Sequence, residues 1–548
     1  MDEGHECSPH IGPRKQKRLH SAQPSTLPTT QTDTQSQGPV RSTSNASASA
    51  SASASASASA FASTTPFDII SHSRSVRSKS HADNNLMRVS HSVGSDLSFS
   101  ELNQANLLPS PATVQALADF YFNELFHIVP VLDLDQPELQ TSMLLRQCLC
   151  FAGSLMRQST SSADWSPYAF YGRIKSLLNL DRDPQNIITA LSILSSWQPS
   201  EPEAILLDSP YQWCGMAVRL GLQLRWHEEE TYSRLQHPGR ARRIWWYLFA
   251  NDTMQMACSG LPGTLPIEKT SARLPTPVDF TTQDTRAQVF CAMVSLCRII
   301  RQVLELAQVD YTPPEDLYSC LDDLRLWREG LSDELQLFDL NTMVRKSYSR
   351  IVVEIHIYYL VTIILTCFLG RRDVPSLFRY ASMSASSCIT RLYEEIDCHE
   401  HVSYLATLHS WAILVAAIPR TFSDGGRLNP EWAEESEIMH RVLEKMCEKH
   451  PSAVMVRNKL KTMGSSEKES TAHSEAVWDP NFTVNERSLS MRSLFHFPSS
   501  FCTMLGFLDS NEKHVSPQDS TFDFPPDWPV EWSSFLYDGQ IDLSFLEP

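Results

Sequence analysis

Glycine is scarce, with 18 in 548 residues. A backbone that must lie against a phosphate or a dinucleotide needs glycine where a Cβ would collide, so few places could host such a site. The chain also has no phosphate-binding glycine-rich loop, no dinucleotide fingerprint, no nucleophile elbow and no zinc-protease helix. These absences argue against an enzyme. Basic charge is in short supply too: 46 Lys and Arg stand against 63 Asp and Glu, for a formal charge of −17. A body of that sign does not coat itself with nucleic acid, so DNA contact would need a local patch or a partner. Between Cys7 and Cys148 there is no cysteine. A six-cysteine binuclear zinc cluster opens with a C-x-x-C pair, and these residues cannot build one.

Long apolar runs are equally rare. The best candidate, Ile351 to Leu369, is interrupted by Glu354 and His356. What remains uninterrupted is too short for a bilayer, so a buried core helix is expected and no membrane partner. The N-terminus opens on Asp2, Glu3 and His5 instead of a basic and then apolar stretch, so no secretory leader is expected. Most of the 13 cysteines, such as Cys214, Cys258, Cys367 and Cys388, sit in apolar runs, as buried thiols of an intracellular protein do.

What is present falls into four stretches. Residues 1–110 are rich in Ser, Thr, Ala, Gln and Pro, with strict Ala-Ser alternation from Ala46 to Ala60. No large side chain there offsets the entropy of ordering, so a disordered tail is expected. It carries one basic cluster, Arg14, Lys15, Lys17 and Arg18, which is either a nuclear-import signal or an ordinary solvated charge run. Residues 111–460 form the second stretch and turn helical. Val114, Leu117, Ala118, Tyr121 and Leu125 share one helical face, and Pro130 must end the run. Ser209-Pro210-Tyr211-Gln212 is a helix start, with N-cap, first-turn proline and capping-box glutamine. The helix it opens, through Trp213, Met216, Ala217, Leu220 and Leu224, is apolar on most sides and expected deep in the core. Further helical runs lie around Ile244–Met256, Ala287–Leu306, Leu317–Leu331, Tyr348–Leu369, Ser382–Ile396 and Val402–Ile418. With no sustained strand pattern, the expected fold class is all-α, one large multi-helix domain with a disordered N-terminal and a partly disordered C-terminal tail.

Residues 461–520 read as a linker with short ordered pieces. Residues 521–548 carry Asp523, Asp527, Glu531, Asp538, Asp542 and Glu547 without a Lys or Arg, interleaved with aromatics. Acidic residues keep such aromatics solvated. Trp528, Trp532, Phe535 and Leu536 are the candidate activation residues. Trp532, Phe535 and Leu536 have the i, i+3, i+4 spacing of a helix that folds into a coactivator groove; the alternative is a strap packed on the helical body.

Two groups have metal-ligand chemistry. Consecutive side chains in Cys398-His399-Glu400-His401 point in different directions, and His440, Cys447 and His450 lack an obvious fourth ligand. Neither is expected to hold an ion, and no cofactor is expected in this chain.

The strongest constellation lies between Asp208 and Phe280. Arg242-Arg243-Ile244-Trp245-Trp246 opens a helix, Asp252 follows on it within reach of a basic partner, and Gly260-Leu261-Pro262 ends it. The tryptophans supply bulky packing area. Together with Ala217, Leu220-Gly221-Leu222 and Leu274-Pro275, this stretch resembles the fungal-specific transcription factor domain, the middle homology region behind the binuclear zinc clusters of fungal regulators. Gln223 stands where that family usually has His, and Leu261 where it has Arg, which removes one expected ion-pair partner without changing the fold. The resemblance extends more weakly upstream to Phe120–Leu132 and downstream to the helix around His356-Ile357-Tyr358-Tyr359.

The resemblance implies a nuclear, pathway-specific transcription regulator of a catabolic or secondary-metabolite gene cluster, whose helical domain does no chemistry and restrains or releases the rest. Implied partners are a coactivator or the general transcription machinery, a small-molecule inducer and a second copy in a homodimer. DNA would be reached only through a missing upstream zinc cluster, which alone would bring zinc, or through a partner protein. Two further readings stay open: a cluster-less co-regulator, and a helical small-molecule binder with no transcriptional role.

Overall fold

Proline decides where many of the helices begin. The computed structural model describes residues 103–157, 165–198, 207–309, 312–369, 376–421, 430–466 and 491–511. Its helices longer than one turn are α1 (Pro111–Phe120), α2 (Met143–Leu155), α3 (Pro167–Leu178), α4 (Pro184–Leu194), α5 (Pro210–Gln223), α6 (Pro238–Ser259) and α7 (Thr285–Leu306). They continue with α8 (Pro314–Glu329), α9 (Arg350–Leu369), α10 (Ser376–Cys398), α11 (Leu408–Thr421), α12 (Pro430–Cys447), α13 (Pro451–Ser466) and α14 (Thr503–Asn511). Proline at the first helical position lacks only an N–H that the helix would leave unpaired, and its φ is already helical. In α1, α3, α4 and α5 the preceding Ser110, Ser166, Asp183 or Ser209 accepts a first-turn backbone N–H. Among the described residues there is no strand, only one antiparallel bridge between Phe338 and Arg345. The fold class is all-α.

The leading helix does not stop at α1. It widens into a π-helical turn over Tyr121–Leu125, and the chain then turns at Pro130. Tyr121 closes that turn: its hydroxyl donates to the Val129 carbonyl at 2.7 Å and accepts the Leu132 N–H at 3.2 Å. Behind it, α1 lies so close on α2 that a Cβ on Gly153 would stand 1.9 Å from the Leu117 carbonyl oxygen. Only glycine permits that approach.

α7 is the spine. It packs on α6, α8 and α9, with the remaining contacts made mostly among α1 to α6 and among α8 to α14. One continuous apolar core runs through both groups. α5 corrects the sequence expectation of a helix deep in the core. It buries Trp213, Cys214, Ala217, Val218 and Gly221, while Met216 is exposed and Leu220 and Leu224 are half-buried. Only one face meets α4 and α6. The expected run over Val402–Ile418 is also divided, into a 3₁₀ turn at Val402–Tyr404 and then α11. Beyond α13 the described chain resumes with a 3₁₀ turn at Met491–Leu494 and α14. Both belong to the core, where Leu494, Phe495, Phe497, Leu505 and Leu508 are buried.

α9 is long and apolar enough to cross a membrane by composition alone, but here it is enclosed by neighbouring helices. Its two polar interruptions are built in. His356 Nε2 meets the Leu335 carbonyl at 2.8 Å. Glu354 pairs with Arg350 on its own helix and with His127 from the leading segment at 2.9 Å, and His409 of α11 stands 3.8 Å away. Arg350 reaches on to Glu124 at 2.8 Å. Full burial would push the Glu354 carboxyl up, but Arg350 and His127 hold it well below the usual carboxylate range. This buried network joins the leading turn to the second group of helices.

Burial also fixes the pH response. It lowers His356 and His450 to about 4, and it lowers His127 against the opposing pull of Glu354. These histidines fold neutral, so their contribution is complete above pH 6.5 and is lost as pH falls toward 4, at most on the order of 3 kcal/mol for each of His356 and His450. The depressed Glu354 works in the same direction at lower pH. Thermal melts should therefore show a midpoint that is level between about pH 7 and 8 and falls steeply from about pH 6.5 to 4. A midpoint that rises on acidification would contradict this burial.

Candidate functional site

The signature residues sit on α6, which is buried nearly all round. Such a helix would ordinarily be apolar throughout; this one carries three arginines on its first turns. They are 7%, 3% and 1% exposed at Arg240, Arg242 and Arg243. An unpaired charge cannot be buried at that depth without a large penalty, and each of the three has partners in another segment.

Arg243 is held most completely. Its Nε donates to the Pro130 carbonyl at 3.0 Å, Nη1 to the Asp279 carbonyl at 2.9 Å and Nη2 to Asp133 Oδ2 at 2.6 Å. Its guanidinium also lies 4.9 Å from the Phe280 ring centroid. Arg242 makes a two-pronged pair with Glu229 at 2.6 and 2.8 Å, and it stacks 3.9 Å over Tyr232. Arg240 donates to Gln136 at 2.8 Å, with Glu138 at 3.5 Å. Around them the loop over 273–279 is tied down twice. Arg273 grips Asp279 through two bonds of 2.7 Å, and the Asp279 carboxylate takes the Thr276 N–H at 2.9 Å. α6 thus works as a clasp, its arginines holding the segments at 130–136, the helical turn Glu229–Tyr232 and the stretch 273–280.

The tryptophans do different jobs. Trp245 is fully buried against α5, where a Cβ on Gly221 would come within 3.0 Å of its ring. That contact explains the glycine of Leu220-Gly221-Leu222. Trp246 is buried as well but donates its indole N–H to the Arg273 carbonyl at 2.8 Å. Downstream, Pro275 is buried and Leu274 packs against the core.

Asp252 does find a basic partner, one that the sequence reading did not name. Arg301 on α7 reaches it at 2.5 Å. Thr264 and Leu265 add backbone N–H donors at 2.8 and 3.2 Å, and the Thr264 hydroxyl adds a third donor at 2.7 Å. Gly260 ends α6 in the left-handed region with φ 66°, and its N–H returns to the Met256 carbonyl. Pro262 accepts from the Tyr211 hydroxyl at 3.1 Å. Gly263 leaves room for the ion pair, since a Cβ there would meet Arg301 Nη1 at 1.8 Å. Leu261, which replaces the family's Arg, is exposed. The partner of Asp252 lies 49 residues downstream, a separation no local motif could reveal.

Chemically, the clasp positions backbone and transforms nothing. Its guanidinium groups are engaged with protein partners and buried, so they offer little charge to DNA or to an anionic ligand. The two metal-like groups are occupied differently. Tyr348 stacks on His399 and bonds His401 at 3.1 Å, while His450 contacts Thr407 and the Leu405 carbonyl. Among the described residues no three His, Cys, Asp or Glu side chains gather as an ion site. Arg14, Lys15, Lys17 and Arg18, like Trp528, Trp532, Phe535 and Leu536, lie outside the described residues.

Residues 119–338 match the family model described as "Fungal specific transcription factor domain". The chain is 23% identical over 351 residues to the acetamidase regulatory protein of Aspergillus fumigatus, a match covering 58% of this chain and 44% of that protein. It is 26% identical over 228 residues to cutinase transcription factor 1 alpha of Fusarium vanettenii, covering 36% of this chain and 25% of that one. The matches span less than half the length of either relative. No solved structure matches the chain.

The clasp predicts how its parts fail. Asp252→Asn or Arg301→Met alone leaves a buried partner uncompensated and should cost about 3–5 kcal/mol, while the double substitution should cost clearly less than the sum. Denaturant unfolding of the four proteins in a cycle measures it, and additive losses would contradict a direct pair. Gly221→Ala, which presses on Trp245, should lower stability by about 1–3 kcal/mol in the same assay.

Proposed function

We propose, with residues 119–338 carrying a fungal specific transcription factor domain, that the chain is a nuclear, pathway-specific transcription regulator and not an enzyme. Support comes first from one observation. The residues that carry the family pattern, Arg242 to Trp246 with Asp252, are spent on holding the domain together, which suits a body that regulates and leaves chemistry to others. The relatives' names point to control of acetamidase and cutinase genes, and a catabolic or secondary-metabolite gene set is the matching reading for this chain.

In this proposal the functions divide along the chain. Arg14, Lys15, Lys17 and Arg18 form the import signal. The helical body sets whether the regulator is active, in response to a small-molecule inducer or a partner. Residues 521–548 recruit a coactivator or the general transcription machinery, with Trp532, Phe535 and Leu536 as the helix anchors and Trp528 beside them. DNA is reached through a zinc-cluster module or a partner protein, because the clasp arginines are unavailable for it.

Expression profiling of a deletion strain would identify the regulated genes. A sharper test fuses residues 515–548 to a heterologous DNA-binding domain. The fusion should activate a reporter, and Trp532→Ala with Phe535→Ala should reduce that activity about tenfold, the loss expected for removed anchors. A silent fusion, or one indifferent to both residues, overturns the activation role.

A further inference from the structure

Two thiols far apart in sequence meet where the described chain ends. Cys388 on α10 and Cys502, immediately before α14, have their sulfur atoms 3.7 Å apart, and both are buried. The backbones are also close there. Ser384, one turn before Cys388, donates its hydroxyl to the Met504 carbonyl at 3.2 Å, so the sulfurs face each other across a fixed helix contact. Cys502 caps the N-terminus of α14, where backbone N–H groups and the helix dipole favour a thiolate. The hydrogen bond from the Cys388 thiol, with the Leu505 and Met504 N–H groups, lowers the Cys502 thiol, while burial and the same bond raise Cys388. Burial pushes other thiols up, among them those of Cys148, Cys214 and Cys367. Both sulfurs are buried, Cys502 at 5% exposure and Cys388 at 0%, so oxidation requires a local opening of the α14 contact; one lowered thiol with a second sulfur in reach then supplies the two groups that a sulfenic acid and a disulfide need.

We propose that Cys388 and Cys502 are a peroxide-oxidisable pair whose disulfide locks α14 onto α10. The Cys502 thiolate attacks one oxygen of hydrogen peroxide and the O–O bond breaks, giving a sulfenic acid and hydroxide. The Cys388 thiol then attacks the sulfenic sulfur, the S–S bond forms and water leaves. Overall the two thiols lose two electrons and two protons, and the peroxide becomes two molecules of water. Disulfide bonding needs the sulfurs to close from 3.7 Å to about 2.05 Å, within reach of side-chain rotation and a small shift of α14.

The 548-residue chain, treated with hydrogen peroxide and digested without reductant, should yield a peptide pair linking Cys388 to Cys502 and lose two titratable thiols. Dithiothreitol should restore both. Cys502→Ser should abolish the link, and Cys388→Ser should leave a sulfenic acid at Cys502 that dimedone traps. Hydrogen exchange over Thr503–Asn511 should slow several-fold in the oxidised chain. The wild-type peptide map decides the matter even where a variant fails to fold. If other cysteines oxidise while Cys388 and Cys502 stay reduced, the pair is no sensor. A bond that forms without slowing exchange overturns the lock.

Discussion

A single buried guanidinium, that of Arg243, sets the conditions for the rest of this domain. At 1% exposure it has lost its water, and in a low-dielectric interior that loss is severe unless every donor is met. Two of its acceptors are backbone carbonyls, of Pro130 and Asp279, and the third is the Asp133 carboxylate. The chain must therefore bring the Pro130 turn and the loop before α7 to the same point beside α6. Gly239 is part of that arrangement, since a Cβ there would stand 2.6 Å from the Asp279 carbonyl oxygen. One charge thus specifies the relative placement of three segments, which apolar contacts alone would leave looser.

The second half of the body is attached by similar means. α7 connects to the clasp through Arg301 and Asp252, and the Glu354 network ties the leading turn to α9 and α11. The family match ends at 338, yet the core continues without a break through α14. The two halves are therefore coupled through packed helices and buried charge pairs. Such elements respond by shifting between discrete packings and not by gradual deformation.

Much of the fold was legible in the sequence, and the reasons are local. Helix periodicity located the runs that became α6 to α10, and Ser209-Pro210 marked the start of α5. The Arg-Arg-x-Trp-Trp pattern pointed to the family whose model matches residues 119–338. The same proline rule, applied to Pro167, Pro184, Pro430 and Pro451, would have located α3, α4, α12 and α13 as well. Met216 was misplaced because an apolar residue on a buried helix need not face the core. Partners at long range were invisible: Arg301 for Asp252, Glu229 for Arg242, and Cys502 for Cys388 each lie on a different element. Local motifs show that a residue needs a partner. Only the fold shows which one.

The central claim is that the signature arginines act inside the domain and not at a binding surface. Hydrogen exchange on the wild-type chain and on Arg243→Lys tests it most directly, because lysine keeps the charge but cannot reach three acceptors at once. The account predicts faster exchange at both the Pro130–Gln136 turn and the Arg273–Phe280 loop, two segments well over a hundred residues apart in the chain, rising together. Unchanged exchange at both, or a change at one alone, would contradict it.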